Sequence, residues 1–494
     1  MEKNETNHPI ISPRLIGGGL SAYCRCLAAL VLLLFGNWSL NSHLFPLYDE
    51  YGSFVWEACT LVNGVVLVAL AEISVRHPRL LEPRLLVLLA GSGAVAGVSL
   101  VALADMAHAS FLLVVGACVL SAARGLCAVM VGLSVCRLSG VGTFVLLVAA
   151  EALSTLLCLV VPSGHSFAWL ILHMVILFAV LAMTRDDSHE VLNRLKSSAS
   201  PRDMALTQPA SYLPFGHQFF ICLLLFRLVY GFLLTFGETA GIPAVSPWGI
   251  LPMVALVMVG MVFRRPVSAD GLFRLAFMLS LAGILVVPAF SLVGFTVSNG
   301  LLSCGIAVFE VFNWIVLASL ARKNMHAAVS VFAWGFAMNS IGVIAGANTG
   351  RMVNLYLKHD PQVVVVVIAF VVWLLVFYVV AVMRGFSFDD TISDVREAEE
   401  AVQASDVGAH GEDIDRRCDA LADAYGLTPR EREVLGLLAR GRTGVFIQGE
   451  LVISYNTVKA HIKHIYQKMG VHTHQELIDL VELEHKATTE SRGF

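Results

Sequence analysis

The residues best suited to bind a charged partner lie in one predicted helix near the carboxyl end, Tyr455 to Met469. Its apolar residues recur at spacings of four, three and four and form one buried stripe; they are Val458, Ile462, Ile465 and Met469. The opposite face carries Asn456, Lys459, Ala460, Lys463 and Gln467, and the helix adds Lys468, His461 and His464 without any carboxylate. These donors suit phosphate oxygens and base edges, and small side chains allow close approach, so the pattern favours contact in a DNA major groove.

A less specific interpretation is an ordinary amphipathic helix whose lysines lie in solvent. The basic face alone does not exclude it, so the surrounding sequence has to decide. Upstream, Thr428-Pro429-Arg430-Glu431 has the spacing of a capping box with proline at the first helical position. A compact run of short helices is therefore predicted over residues 427–481.

This run resembles the LuxR-type helix-turn-helix over nearly the whole of that four-helix module. The matching residues are Leu427-Thr428, Arg430-Glu431, Val434-Leu435, Gly441, Ile447, Leu451, Ser454, Thr457-Val458-Lys459, His461, Lys468, Gly470-Val471 and Glu476-Leu477-Ile478. The resemblance implies that Ser454 opens a recognition helix on which Thr457, Lys459 and Lys463 touch DNA and Ala460 faces the bases. The predicted DNA-binding residues are Ser454, Asn456, Thr457, Lys459, Ala460, Lys463 and His464.

The resemblance also implies a role for the final helix, about 473–484, which often pairs two copies of the domain in this family. We expect Leu477, Leu480 and Val481 to be exposed there and to form a homodimer contact on DNA. Two residues depart from the family pattern. Gln448 stands where alanine is usual and predicts looser packing, and His474 replaces a frequent arginine and predicts one phosphate contact fewer.

The rest of the chain has the composition of a membrane protein. Charged residues are 14% and apolar residues 57% of the chain, outside the range of a soluble globular protein. Apolar stretches long enough to cross a hydrocarbon core of about 30 Å number twelve. They lie near residues 22–43, 53–74, 84–104, 109–133, 139–161, 166–184, 216–237, 247–263, 271–296, 300–321, 326–347 and 361–383. The first is not predicted to be a cleaved signal peptide, since it lacks a small-residue cleavage pattern.

Basic residues between the spans indicate the orientation. With an inner amino terminus, the inner loops hold Arg76, Arg79, Arg84, Arg137, Arg185, Arg194, Lys196, Arg202, Arg264, Arg265, Arg274, Arg322, Lys323 and Arg384. The outer loops hold Arg351 and Lys358. By the positive-inside rule this predicts an inner (cytoplasmic) membrane protein with both termini in the cytoplasm, where DNA is found.

The spans fall into two groups of six, an arrangement that resembles the major facilitator superfamily. That family's signature between spans two and three has a glycine and an aspartate that LAEISVRHPRLLEPR lacks, which weakens the case for transport. The predicted parts are an amino-terminal segment 1–21, a membrane bundle 22–384 with halves 22–184 and 216–384 and a central loop 185–215, an acidic linker 385–425, the helix-turn-helix domain 426–484 and a tail 485–494. So acidic a linker indicates a mobile tether or a frayed helix.

Ionisable residues inside the spans are the best membrane-site candidates, because each is costly there unless paired or hydrated. They are Arg124 in span 4, Glu151 in span 5, Arg227 in span 7 and Glu310 in span 10. In a facilitator architecture spans 4, 7 and 10 line the central cavity, so Arg124, Arg227 and Glu310 are expected to converge there as a small-molecule site. The alternative is that these charges form internal salt bridges that fix helix packing and bind no ligand.

No pattern in the sequence indicates catalysis, a cofactor or a metal. The ten cysteines lack zinc spacing and are expected to be reduced structural thiols. The sequence thus predicts an all-α, non-enzymatic transcription regulator of bacterial type, with about twelve spans and a cytoplasmic LuxR-type domain. Its expected partners are promoter DNA, membrane lipid, a small-molecule ligand and a second copy of itself. Two alternatives stay open: a facilitator-like transporter with a regulatory DNA-binding appendage, and a bundle that serves only as an anchor.

Overall fold

Helices account for the architecture, and the part of the chain that the structure describes contains no strand. The computed structural model describes residues 19–39, 54–138, 140–160, 167–197, 217–237, 247–263, 267–286, 292–357, 361–394, 411–439, 447, 451, 453, 455–471, 474, 476–478 and 480–481. The predicted all-α class is confirmed.

In the part of the chain that the structure describes, twelve apolar helices follow one another close to the places predicted for the spans. They are α1 (Gly19–Ser39), α2 (Val55–Arg76), α3 (Pro83–Ala107), α4 (Ser110–Val135), α5 (Gly140–Val160), α6 (Phe167–Ser197), α7 (Gln218–Gly237), α8 (Ile250–Phe263), α9 (Ala269–Val286), α10 (Leu292–Lys323), α11 (Ala328–Leu357) and α12 (Pro361–Phe377). Among the described residues, ten helices are long and apolar enough to cross a membrane, and α7 and α8 contribute shorter apolar stretches. The chain is therefore a multi-pass membrane protein with about the predicted number of spans.

Close backbone contact joins α7 to α11. Gly342 and Gly346 of α11 are four residues apart, the small-residue spacing typical of tightly packed membrane helices. A Cβ atom at Gly346 would lie 1.8 Å from the carbonyl oxygen of Leu228, and one at Gly342 would lie 2.4 Å from that of Leu224. Only glycine fits at these two positions, and α11 thereby holds α7 at a fixed distance.

Helix α6 extends beyond the predicted end of its span. It runs to Ser197, so residues 185–197 of the predicted central loop are helical. Val191, Leu192 and Leu195 recur at helical spacing in this extension and are buried, which explains why the helix persists through a polar sequence. Arg137, just after α4, pairs with Asp187 and Glu190 on the same extension.

The start of the predicted acidic linker is docked on the bundle. Helix α13 (Phe388–Asp394) meets the beginning of α9, and each helix receives an aspartate from the other. Asp389 Oδ1 accepts a hydrogen bond from the backbone N–H of Ala269 at 3.0 Å, and Asp270 Oδ1 accepts one from that of Phe388 at 2.9 Å. The Phe388 ring is 1% exposed and packs among aromatic rings of α7, α9 and α10. These contacts make α13 part of the bundle.

The end of the predicted linker belongs to the carboxyl-terminal domain. Helix α14 (Gly411–Ala424) buries Cys418, Leu421 and Ala422 in one core with α15 (Pro429–Ala439) and α16 (Tyr455–Met469). Gly426, with φ of 61°, turns the chain between α14 and α15. The interpretation of 385–425 as a mobile tether is therefore wrong for residues 388–394 and 411–424, because apolar side chains between the acidic ones dock both helices. The other predicted domain limits stay predictions.

Candidate nucleic-acid interface and membrane site

Helix α16 has the bounds and the two faces that the sequence predicts. Val458, Ile462, Ile465 and Met469 are at most 5% exposed and pack in the core of the domain. Thr457, Lys459, Ala460, Lys463 and His464, all predicted to contact DNA, are exposed. Ser454 and the side chain of Asn456 lie outside the described part of the chain. The predicted stripe is confirmed, whereas the contacts with DNA stay predictions.

Lysines of α16 divide into two kinds. For Lys459 and Lys463, the described residues include no ion-pair partner, so their charges are available to an external anion. Lys468 differs, because its Nζ donates to Glu431 Oε2 at 2.7 Å and to the backbone carbonyl of Gly426 at 3.1 Å. Lys468 therefore ties α16 to the start of α15 and is not free to bind phosphate.

Glu431 is the acceptor at the centre of this junction. It is 3% exposed, and its Oε2 also accepts a hydrogen bond from the backbone N–H of Thr428 at 2.8 Å. The Thr428 hydroxyl in turn accepts from the backbone N–H of Glu431 at 3.3 Å, which confirms the predicted capping box. Burial acts to raise the pKa of Glu431, but the hydrogen bonds from Lys468 and Thr428 outweigh it and lower the pKa to about 2. The carboxylate stays ionised and holds α16 against the start of α15.

His474, whose replacement of arginine predicts one phosphate contact fewer, is buried inside the domain. It is 5% exposed, and its Nε2 donates to the backbone carbonyl of Leu438 at 2.7 Å. Burial lowers the pKa of this imidazole, while the Leu438 carbonyl acts to raise it. His474 therefore satisfies a carbonyl in the last turn of α15, a group without an intrahelical partner.

The residues predicted to form a dimer contact are not on the surface. Leu477 is fully buried and Val481 is 3% exposed, and both lie in the core that α14, α15 and α16 share. Leu480 is partly buried against the same core. The expectation that these three side chains are exposed is wrong for Leu477 and Val481, because the apolar stripe of the last helix faces its own domain.

In the membrane bundle, Arg227 and Glu310 form an ion pair between α7 and α10. The indole Nε1 of Trp314 donates to the other carboxylate oxygen of Glu310 at 3.2 Å. Glu151 of α5 interacts electrostatically with both Arg227 and Glu310. The structure thus brings three of the four predicted charged residues together.

Arg124 belongs to a different polar group. Its Nη1 donates to Asn37 Oδ1 at 2.8 Å, which links α4 to α1 within the first half of the bundle. The expected convergence of Arg124 with Arg227 and Glu310 stays a prediction; the contact that the structure describes is with an amide of the same half. Glu57 in α2 and Arg351 in α11 form a further ion pair that the sequence does not reveal. The sequence predicts a loop at Arg351, because charges near the ends of apolar stretches are easily assigned outside them.

No group of three His, Cys, Asp or Glu side chains within the described ranges is arranged to hold a metal ion. All ten cysteines are free thiols.

Comparisons with known proteins match the two parts of the chain separately. Residues 426–481 match the family model of bacterial regulatory proteins, luxR family. The HTH-type transcriptional regulator MalT of Serratia proteamaculans (strain 568) is 46% identical over 52 residues. That match covers 10% of this chain and 6% of the length of MalT.

The membrane bundle is similar to solved transporter structures. A bacterial homologue of the iron transporter ferroportin, in an outward-facing state with soaked iron, overlays with a TM-score of 0.51 at 11% identity, over 76% of this chain and 98% of that one. A Major Facilitator Superfamily transporter, FucP, in the outward conformation gives 0.47 at 12% identity, over 76% and 96%. At such identities the ferroportin homologue shows the fold alone. The chain thus carries a LuxR-type helix-turn-helix domain at residues 426–481, behind a multi-pass membrane bundle whose fold is similar to that of the ferroportin homologue.

Proposed function

We propose that the chain is a membrane-embedded, one-component transcription regulator that binds promoter DNA through α16. The observation that carries the proposal is the exposed, carboxylate-free face of this helix in a domain of the LuxR type. Lys459 and Lys463 would contact phosphates, and Ala460 would approach the bases in the major groove. Ser454, Asn456, Thr457 and His464 complete the proposed interface.

Two copies would bind together, because a single helix-turn-helix touches too few base pairs for useful specificity and such domains occupy paired half-sites. The buried positions of Leu477 and Val481 remove them from the proposed dimer contact. The partner surface therefore has to lie elsewhere on the domain or on the bundle.

The bundle would lie in the inner membrane with both termini in the cytoplasm. The distribution of arginine and lysine between the loops supports this orientation. It would act as a sensor, because charged side chains of both halves meet deep inside it. The alternative is that the bundle senses nothing and only anchors the DNA-binding domain to the membrane.

DNA binding can be tested with matched lysine variants of segment 411–494, which contains the complete shared core. Lys459→Ala and Lys463→Ala are each expected to reduce the slope of log K against log salt by about one, with an unchanged melting temperature. Lys468→Ala removes the same charge from the same helix but is expected to lower the melting temperature, because Glu431 loses its partner. Binding that is independent of salt, or equal for all three variants, contradicts the proposed interface.

The sensor can be tested by transcript comparison in cells. A version whose bundle is replaced by an unrelated membrane anchor is expected to lose the response of the parent while it still binds DNA. If this version regulates transcription like the parent, the bundle is only an anchor.

A further inference from the structure

We propose that Glu151, Arg227 and Glu310 form a binding site for an organic cation between the two halves of the bundle. This inference deepens the proposed function by naming the class of ligand, and as a sensory site it rests on that function. The three side chains come from α5, α7 and α10, so the first half contributes one carboxylate and the second half an ion pair.

The charge of Arg227 is already engaged within the protein. Its guanidinium pairs with Glu310, and the guanidinium carbon lies 5.3 Å from the ring centroid of Phe309 and 5.7 Å from that of Tyr230. Glu310 is held from its other side by the Trp314 indole N–H. The ion pair is therefore oriented by aromatic neighbours, while the buried Nε of Arg227 has no hydrogen-bond partner in the described structure.

Glu151 is the one member of this group of three that has no counter-ion among the described residues. Both Glu310 and Arg227 lie within its electrostatic range, yet the described residues provide it with no ion pair of its own. When Glu151 is ionised, two carboxylates and one guanidinium sum to a net charge of minus one. An uncompensated charge inside a membrane bundle is unfavourable, so a positively charged ligand would be stabilised there.

These side chains also retain accessible surface inside the protein. Glu310 is 23% exposed, although Phe309, Val311, Phe312 and Trp314 around it are at most 3% exposed. Since these neighbours on every side of α10 are buried, the exposed carboxylate faces a space within the bundle and not lipid.

Glu151 lies on the inner face of α5. It is partly exposed, and it follows buried Leu147 by four residues and precedes buried Ser154 by three, which places it on their side of the helix. Exposed Leu153 and Leu156 mark the opposite, lipid-facing side. The accessible surface of Glu151 therefore also belongs to the interior.

A second observation indicates a ligand at the same place. Asn313 is fully buried, and within the described structure neither its amide nitrogen nor its amide oxygen has a hydrogen-bond partner. It follows Glu310 by three residues, so the two side chains share a face of α10. A buried amide without partners is costly, and a bound molecule with a donor or an acceptor would satisfy it.

The donor set suits an ammonium or similar organic cation better than a metal ion. A guanidinium beside the two carboxylates would repel a divalent metal, whereas an organic cation can hydrogen-bond to carboxylates and rest against aromatic rings. By bridging Glu151 of the first half and Glu310 of the second, such a ligand would cancel the repulsion between them. The ligand would then bind more tightly when the two halves are close together than when they are apart. This difference in affinity would shift the equilibrium towards the arrangement with the halves close together.

The test uses the purified full chain in zwitterionic nanodiscs and a pair of probes of equal size and opposite charge. Tetraphenylphosphonium is expected to bind saturably in equilibrium dialysis, and tetraphenylborate is not. Glu151→Gln should weaken phosphonium binding about tenfold, the loss of one charge-assisted contact. Glu151→Asp, which keeps the charge, should retain most of the affinity.

Glu57→Gln serves as the matched control, because it removes a carboxylate from a different ion pair of the bundle. It should bind the phosphonium like the parent, and thermal unfolding of each variant checks that it is folded. Equal binding of both probes, no saturable phosphonium binding by the parent, or a folded Glu151→Gln variant that binds like the parent overturns the proposal.

Cation binding is measured here without DNA, so its failure is distinct from failure of the proposed function. A chain that binds phosphonium but no promoter DNA would retain the cation site and refute the regulator. A chain that binds DNA but no cation would retain the regulator and refute the site.

Discussion

Replacement of Glu431 by glutamine tests whether α16, the proposed recognition helix, is held by a buried carboxylate. Glutamine keeps the shape of the side chain and can still accept a hydrogen bond from the backbone N–H of Thr428. What it loses is the charge that Lys468 binds. Glu431→Gln in segment 411–494 therefore isolates the ion pair from the capping box.

The expected loss of stability follows from the pKa of Glu431. The difference between the ordinary value of 4.5 and about 2 in the folded domain corresponds to about 3 kcal/mol, which solvent screening reduces to about 2 kcal/mol. For a domain of about 70 residues this lowers the melting temperature by about 8–16 °C.

Glu433→Gln is the matched control on the same helix. Glu433 pairs with Arg430, but the two side chains are 48% and 51% exposed. Exposed ion pairs contribute about 0.5 kcal/mol or less, so this variant should melt within about 4 °C of the parent. The difference between the melting temperatures of the two variants shows how much of the stability depends on burial of the ion pair.

The pH dependence has a definite sign. Because folding lowers the pKa of Glu431, its contribution is present above pH 4.5 and is lost as the pH falls towards 2. The stability difference between parent and Glu431→Gln, measured by urea unfolding, should shrink over this window. A Glu431→Gln domain as stable as the Glu433→Gln domain at pH 7, or a difference that persists unchanged at pH 2, would refute the reasoning.

Three further predictions concern other parts of the chain. A segment beginning at residue 426 should be less stable than one beginning at 411 by about 2 kcal/mol or more, because it lacks the buried side chain of Leu421. Calorimetry measures this difference in stability. Gly346→Ala should abolish a monodisperse full chain in size-exclusion chromatography, because its Cβ would overlap the Leu228 carbonyl; Gly436→Ala, which meets nothing within 4 Å, should instead stabilise the domain by up to about 1 kcal/mol. Reporter fusions after α13 should be active only as cytoplasmic reporters, and periplasmic activity would contradict the orientation.

Local periodicity explains what the sequence predicted well. The bounds of α16 and its buried stripe depend on spacing within fifteen residues and on Gly470, so they are readable without tertiary information. The capping box of Thr428 and Glu431 is equally local. The same holds for the apolar spans, whose length and composition are properties of single segments.

Pairings between distant residues could not be read in this way. Lys468 meets a carboxylate 37 positions away, and Arg227 meets Glu310 over 83 positions. An apolar stripe such as that of Leu477 and Val481 has the same pattern whether it faces its own core or a second copy. The acidic composition of residues 385–425 did not predict that one face of α14 is buried, because composition averages over both faces of a helix.

Docking of α13 and α14 sets a mechanical limit on where the bound DNA can be. The chain between them comprises sixteen residues, 395 to 410, and joins Asp394 to Gly411. Whatever its conformation, a segment of this length spans at most about 60 Å. Gly411 is therefore confined to within about 60 Å of Asp394, and a promoter held by this domain would lie no farther out than that reach plus the width of the domain. Under the proposed function, the regulated gene would have to come to the membrane, and the fraction of time it spends there would set an upper limit on how often the promoter is bound.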